Sequence, residues 1–489
     1  MSAQHAKQPV TVPFTSMRQL IGPLLAIIVG IFMVILDSTA VNVAVPKLVD
    51  DFHSKFETVQ WAISGYALAQ AAVIPLAGWI TDRFGSKQIF IVSLVLFTLG
   101  SILCATAQSI DQLIFYRVLQ GLGGGMVSPI AFAMTYRFSP PEKAGSIMGL
   151  MGMPILLAPA LGPIIAGYLV DKVSWEWIFF INIPVGILGV ILCALLLPSL
   201  PKKASTSLDM LGIILGPLAF SGLSYGLSEG GTSWTSDKTI IGLVVGVVAL
   251  AAFIIVELAR KKEPLLELRV FRSSLFTRGI LIQWVLQFVM FGIIFSVPYF
   301  MQKLMGMSAF EAGMWTLPQA IAAGVFMPIG GRLYDRIGAR PLVLIGLTIV
   351  GVGAFLISRI DPSDDAIQFL VPRAMLGMGM GLSFLALNTH LIQSAPSNLV
   401  SRVTSLTSAA QQIMTSFSVA GLTTIIANRT AHYVSRGDKP VPDAMSHGFH
   451  DAYLVLVGLA VFGLLCATTL RRPKTEGTQT PTAHVVDMG

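Results

Sequence analysis

Gly78-Trp79-Ile80-Thr81-Asp82-Arg83-Phe84-Gly85-Ser86-Lys87 and Gly331-Arg332-Leu333-Tyr334-Asp335-Arg336-Ile337-Gly338-Ala339-Arg340 are one pattern written twice, 253 positions apart. A second pattern, Arg117-x3-Gly121-x-Gly123-x-Gly125, returns as Arg373-x3-Gly377-x-Gly379-x-Gly381 at an offset of 256. Two independent patterns at nearly one offset read as an internal duplication. Around them, apolar runs of about 20 residues, enough to cross about 30 Å of hydrocarbon as helix, recur from end to end. Fourteen are read: 21–45, 59–80, 88–108, 112–136, 145–170, 177–198, 209–228, 239–258, 278–301, 309–330, 341–359, 367–391, 404–427 and 452–470. Each half of the duplication takes six, with the Gly-Asp-Arg loop after its second span and the Arg-Gly pattern in its fourth. Spans 7 and 8, flanked by the polar stretches 201–207 and 260–278, form an insert. The expected fold is all-α and polytopic, 6 + 2 + 6. Residues 1–20 are an N-terminal segment, 21–200 a six-helix bundle, 201–277 the insert with its linkers, 278–471 a second six-helix bundle and 472–489 a tail. Glycines at such spacing let helices approach closely, and ordinary packing and a role in movement both remain open for them.

Composition agrees with a chain that lives in lipid. Of 489 residues, 54% are hydrophobic and 12% charged, against about 25% charged in an average soluble domain. The net charge of +7 sets topology and does not point to nucleic acid, because cytoplasmic loops retain Lys and Arg while translocated loops shed them. With the N-terminus inside, 21 basic residues fall on the cytoplasmic side and nine outside, and Arg117 and Arg373 within spans complete the 32. Both termini are therefore expected in the cytoplasm. The first 20 residues lead directly into a full-length span, so no cleavable leader is read. Cys104, Cys193 and Cys466 lie within spans without metal-like spacing and are expected to pack as small apolar groups. No metal and no cofactor is expected. An integral-membrane enzyme would need an assembled nucleophile, base or metal set, and none is read at binding spacing.

Three charges fall well inside spans: Asp37, Arg117 and Arg373. An ionisable group at mid-bilayer costs about 2.5–3.5 kcal/mol even on lenient scales, which calls for a partner and usually a task. Counted from the outer span ends, Asp37 lies about 12 Å deep and Arg117 about 7.5 Å, a gap an arginine side chain spans. An Asp37–Arg117 pair is thus expected. Pairing favours the carboxylate and desolvation the neutral acid, so separating the two would load a proton; the alternative is a static pair that orients helices. Arg373 has no such acid. Its repeat-equivalent region offers Gln283, Gln287 and Met290, so it is expected to hydrogen-bond Gln287 or helix carbonyls, with anion binding as the alternative. Glu57, Asp111, Glu176 and Glu257 lie near span ends and are expected to be interfacial. His432, His447 and His450 are expected in an exposed outer loop. Candidate walls of a promiscuous small-molecule pocket are Gln70, Gln283, Trp284, Gln287, Trp315, Gln319, Asn388 and Gln411, which mix broad apolar surface with neutral hydrogen-bonding groups.

From about Leu20 to Leu470 the chain resembles the fourteen-span drug/proton antiporter branch of the major facilitator superfamily. Leu36-Asp37-Ser38-Thr39-Ala40-Val41-Asn42-Val43-Ala44-Val45-Pro46 is similar to the first-span signature of that branch. Gly78 to Lys87 resembles the superfamily's loop motif, Arg117 to Gly125 its fourth-span motif, and Trp175 to Pro184 the opening of span 6. Pro159 and Gly162-Pro163-x2-Ala166-Gly167 resemble the span 5 antiporter motif, with Ala158 and Ala166 where that motif often carries glycine. The resemblance implies a major facilitator fold of fourteen transmembrane helices in a bacterial cytoplasmic membrane, surrounded by lipid and working as a monomer. It also implies proton-coupled efflux of lipophilic, neutral or monocationic compounds by alternating access, with export of a specific lipid or metabolite, or proton-coupled uptake, as the alternatives. Asp37 and Arg117 would couple protons. Gly78, Asp82, Arg83, Gly85, Asp335 and Arg336 would form a cytoplasmic gate, with Arg137, Arg402 and the start of span 13 as candidate partners of Asp82.

Overall fold

The computed structural model describes residues 17–199, 209–230, 233–260, 264–396, 399–435 and 441–471. The segment up to residue 16, the linker 200–208 and the tail 472–489 lie outside the described residues. Fourteen long helical rods run through the rest: α1 (Arg18–Asp51), α2 (Thr58–Phe84), α3 (Ser86–Ala105), α4 (Ile110–Phe138), α5 (Ala144–Val170), α6 (Trp177–Leu196), α7 (Met210–Gly230), α8 (Asp237–Ala259), α9 (Ser274–Leu304), α10 (Phe310–Ile337), α11 (Ala339–Ile357), α12 (Ala366–Gln393), α13 (Val400–Ser435) and α14 (Pro442–Ala467). Thirteen are long and apolar enough to cross a membrane. The exception, α13, has the length but is rich in Ser, Thr and Gln, and its first turns from Val400 to Thr407 are buried. Neighbouring helices shield those hydroxyls and amides from lipid.

The two halves repeat each other in their contacts. In the first, α4 packs on α2 and α3, and α1 on α5 and α6; in the second, α12 packs on α10 and α11, and α9 on α13 and α14. The repeated glycines make this possible. A Cβ on Gly121 would sit 2.6 Å from the Tyr66 carbonyl oxygen of α2, and one on Gly123 2.7 Å from the Phe97 nitrogen of α3. In the second half, a Cβ on Gly377 would overlap the Gln319 carbonyl of α10, and one on Gly379 would lie 2.5 Å from the Gly346 carbonyl oxygen of α11. Helix axes come this close only where no side chain intervenes.

The insert packs α7 against α8, and α7 then touches α2 of one half and α13 of the other. Its outer helix presents Ile240, Ile241, Val244, Val248 and Ile255 to the surroundings, as a lipid-facing helix should. Gly222-Leu223-Ser224-Tyr225-Gly226 in α7 does have the G-x-S-x-G spacing of hydrolase nucleophile turns. It is continuous helix, however, with Gly222 and Gly226 seated against Gly246 and Gly242 of α8 and Ser224 buried between elements. It is a packing stripe and not a strained turn.

Three local expectations are corrected. The Gly-Asp-Arg stretches are helical through Phe84 and Ile337, and only Gly85 (φ 97°) and Gly338 (φ 79°) break the chain, in backbone that L side chains resist. The outer histidines stand on helices, His432 on α13 and His447 and His450 on α14, with the His450 ring bonded to the Ser358 carbonyl. Glu257 lies near a helix end as expected but is 2% exposed, packed beside the equally buried Asp209. Asp209 accepts from the Gly212 amide at 2.9 Å and from Arg260 at 3.2 Å.

Candidate functional site

Asp37 is fully buried in the middle of α1. Its Oδ2 accepts from Arg117 Nη1 of α4 at 2.7 Å, and its Oδ1 accepts from Asn182 Nδ2 of α6 at 2.8 Å and Gln120 Nε2 of α4 at 3.2 Å. The pair expected from depth along two helices is thus in direct contact. Gln120 lies one turn beyond Arg117, so both reach the same carboxylate from one helix face. Its amide is oriented by accepting from Arg117 at 2.6 Å and donating to Ser101 of α3 at 2.6 Å. Arg117 is held in turn by the Ala62 carbonyl at 3.2 Å and lies over the Tyr66 ring at 3.9 Å. Three donors converge on one carboxylate, and the guanidinium among them is covered by an aromatic face. Gln120, Ser101 and Tyr66 were missed from sequence. Asn182 had a signal, being part of the span 6 signature, and Gln120 another in its i+3 spacing from Arg117.

The gate motifs meet the opposite half at the end of the bundle where α1 begins. Asp82 lies 3.5 Å from Arg137 of α4 and 3.5 Å from Arg402 of α13, while Arg137 also donates to the Ser401 hydroxyl at 2.7 Å. Gly78 is seated on this start of α13, where a Cβ would lie 2.7 Å from the Ser401 carbonyl oxygen. Asp335 instead accepts from the Gly145 amide at 2.8 Å and the Ser146 amide at 2.9 Å, the free donors of the first turn of α5. A carboxylate there meets both unsatisfied N–H groups and the positive end of the helix dipole. Equivalent aspartates thus tie the halves by different means, Asp82 through Arg402 of the opposite half with Arg137 of its own half beside it, and Asp335 through a helix terminus. Arg83 lies against Trp79 at 5.4 Å, and Arg336 is exposed.

In α5, Gly162 faces α1, where a Cβ would overlap the Thr39 hydroxyl and stand 3.3 Å from the Leu36 carbonyl oxygen, on either side of Asp37 in sequence. Pro163 and Gly167 face α10 through Gly313 and Phe310, and Pro159 lies half-buried in the same helix. Towards the gate, Gly145 and Gly149 of α5 seat on Gly331 and Met327 of α10.

The pocket residues do not form one ring. Gln287 of α9 donates to Thr415 of α13 at 3.1 Å, and Gln411 of α13 donates to Asn388 of α12 at 3.4 Å. Gln283 is buried on α9 without a hydrogen-bond partner among the described residues, with half-buried Trp284 beside it in sequence. These form a polar strip of the second half along α9, α12 and α13. Trp315 packs in the second half's apolar core, Gln319 touches Met380, and Gln70 belongs to the first half against Gly124. Arg373 does not bond Gln287. That amide is taken by Thr415, and Arg373 Nε and Nη1 have no hydrogen-bond partner among the described residues.

A duplicated all-helical bundle with a buried ion pair in one half and ionic interlocks between halves is a multi-pass membrane transporter rather than an enzyme. The chain belongs to the Major Facilitator Superfamily, whose family model matches residues 27–419. It is 34% identical over 400 residues to a multidrug resistance protein B homolog of Mycobacterium tuberculosis, covering 81% of this chain and 74% of that one. It is 30% identical over 465 residues to the lincomycin resistance protein LmrB of Bacillus subtilis, covering 94% and 96%. Among solved structures, the proton:xylose symporter XylE superposes with a TM-score of 0.67 at 15% identity over 94% of this chain and 98% of that one, a likeness of fold.

Proposed function

We propose that the protein exports lipophilic, neutral or monocationic drugs and toxic compounds across the bacterial cytoplasmic membrane in exchange for protons, by alternating access and as a monomer. One observation carries this reading: a fully buried aspartate bound by an arginine and two amides that are themselves oriented by further bonds. In this conformation three donors converge on the carboxylate. Withdrawing the guanidinium would leave a carboxyl in an apolar bundle, where the neutral acid is favoured, and a proton would be taken up.

Asp37, Arg117, Gln120 and Asn182 all belong to the first half, so rigid rocking of one half against the other would leave their bonds intact. The element that can transmit the motion is α5. Its Gly145 and Gly149 ride on α10 of the opposite half, and its Gly162 presses on α1 beside Asp37. A tilt at the α5–α10 contact would therefore shift α1 relative to α4 and strain the Asp37–Arg117 bond. Asp82 and Asp335 would hold the cytoplasmic side shut until that tilt occurs. The polar strip of Gln283, Gln287, Asn388 and Gln411 is the substrate-facing region in this reading, and one deep acid suits neutral or singly charged cargo. The relatives named for multidrug and lincomycin resistance support a drug as that cargo.

The test is transport in oriented proteoliposomes under an imposed pH gradient. Wild-type protein is expected to accumulate a lipophilic cation against its gradient, and Asp37→Asn to bind it without pH-driven accumulation. Normal pH-driven transport by that variant refutes the assignment.

A further inference from the structure

Arg373 repeats Arg117 in sequence but not in chemistry. Its side chain is 1% exposed, and its Nε and Nη1 have no hydrogen-bond partner among the described residues. Among the described residues, its electrostatic neighbour is the Tyr453 hydroxyl. That hydroxyl lies beside Ser296 without a well-formed hydrogen bond between them, and both oxygens are buried without a partner among the described residues. Arg373, Ser296 and Tyr453 stand on α12, α9 and α14, the counterparts in the repeat of α4, α1 and α6, which carry Arg117, Asp37 and Asn182. Leu376 occupies the position equivalent to Gln120. The second half therefore keeps the cation, has two hydroxyls on the counterpart helices, and lacks the carboxylate.

A guanidinium cannot shed its proton under physiological conditions, and a buried charge without a counter-charge is strongly unfavourable. A guanidinium and two hydroxyls with no carboxylate among them, in the place where the other half holds an anion, call for an anion from outside. We propose that Arg373, Tyr453 and Ser296 bind a small inorganic anion of single charge, which takes the role that Asp37 has in the first half. Burial of all three groups, at 1–2% exposure, suits a dehydrated ion rather than a headgroup carrying acyl chains. A recess of about 310 Å³ reaches Tyr453 from the end opposite the gate, with Phe300, Ser358 and His450 in its wall and Arg359 and Asp361 also lining it.

The experiment needs no transport. The melting temperature of the full-length protein in neutral detergent is measured as chloride replaces gluconate at constant ionic strength, for wild type, Arg373→Gln and Ser296→Asp. Gluconate is too large for a sealed site. Wild type is expected to melt several degrees higher with chloride, in a saturable manner, and Arg373→Gln to lose that response. Ser296→Asp supplies an internal carboxylate, so it is expected to melt in gluconate at least as high as wild type does in chloride, with no further response. It tests the site even if Arg373→Gln fails to fold. Equal melting of wild type in the two salts overturns the proposal, as does an undiminished chloride response in Ser296→Asp. Stabilisation by added anionic lipid with none by chloride also overturns it, in favour of a headgroup.

Discussion

The Asp37–Arg117 pair makes a quantitative prediction as a double-mutant cycle. In Asp37→Asn one carboxylate oxygen becomes an NH₂ group, while Arg117, Asn182 and Gln120 all still present donors to the same spot. Leaving one member of a buried ion pair uncompensated costs about 3–5 kcal/mol. The new amide can still accept from Arg117, so a loss near the lower limit, about 3 kcal/mol, is expected. In Arg117→Gln the acid keeps two amide donors and can become neutral by binding a proton, and a loss of about 1–3 kcal/mol follows. The double variant contains neutral amides only, with no stranded charge. It should lose no more than the worse single variant, about 3 kcal/mol, which corresponds to a coupling of at least about 1–3 kcal/mol. The assay is reversible unfolding of the purified protein in mixed micelles by titrated sodium dodecyl sulfate, followed by tryptophan fluorescence. Additivity of the two losses within about 0.5 kcal/mol would show that the pair is not energetically coupled and would refute the reasoning.

Gly331→Ala places a methyl group against the Gly145 carbonyl and Gly149 of α5, where the obstacle is backbone and cannot turn aside. The α5–α10 contact should open, and a cysteine introduced at Ser146 should react faster with an impermeant thiol reagent than in the Gly331 background; unchanged labelling would contradict the seat. Gly338→Ala forces a methyl-bearing residue into backbone with φ 79° and ψ −177°, with a stability loss of about 1–3 kcal/mol in the same unfolding assay. A loss below about 0.5 kcal/mol would mean that the turn relaxes.

Much of the architecture was legible because it rests on properties that act locally or by simple counting. Apolar runs of spanning length, two motif pairs at a common offset and the scarcity of charge within spans each follow from the cost of putting polar groups into hydrocarbon. They identified a duplicated bundle, an insert and three deep charges. Asp37 and Arg117 could be matched across two helices because a fixed rise per residue converts sequence position into depth. The gate stretches were read as loops because polar residues cluster there, yet α2 and α10 continue through them until a glycine stops each. Helix α13 shows the converse, a polar rod that hydropathy alone does not mark as a crossing and that its neighbours make possible.

The sequence by itself therefore determined the depth of each charge and the twofold plan, since both depend on spacing along a chain of constant rise. Tertiary structure alone decided which further groups surround those charges: Asn182 and Gln120 at Asp37, an amide terminus at Asp335 and, among the described residues, no partner for Nε and Nη1 of Arg373. Azimuth about a helix axis and the approach of helices remote in sequence set those neighbours, and neither is carried by spacing within one segment.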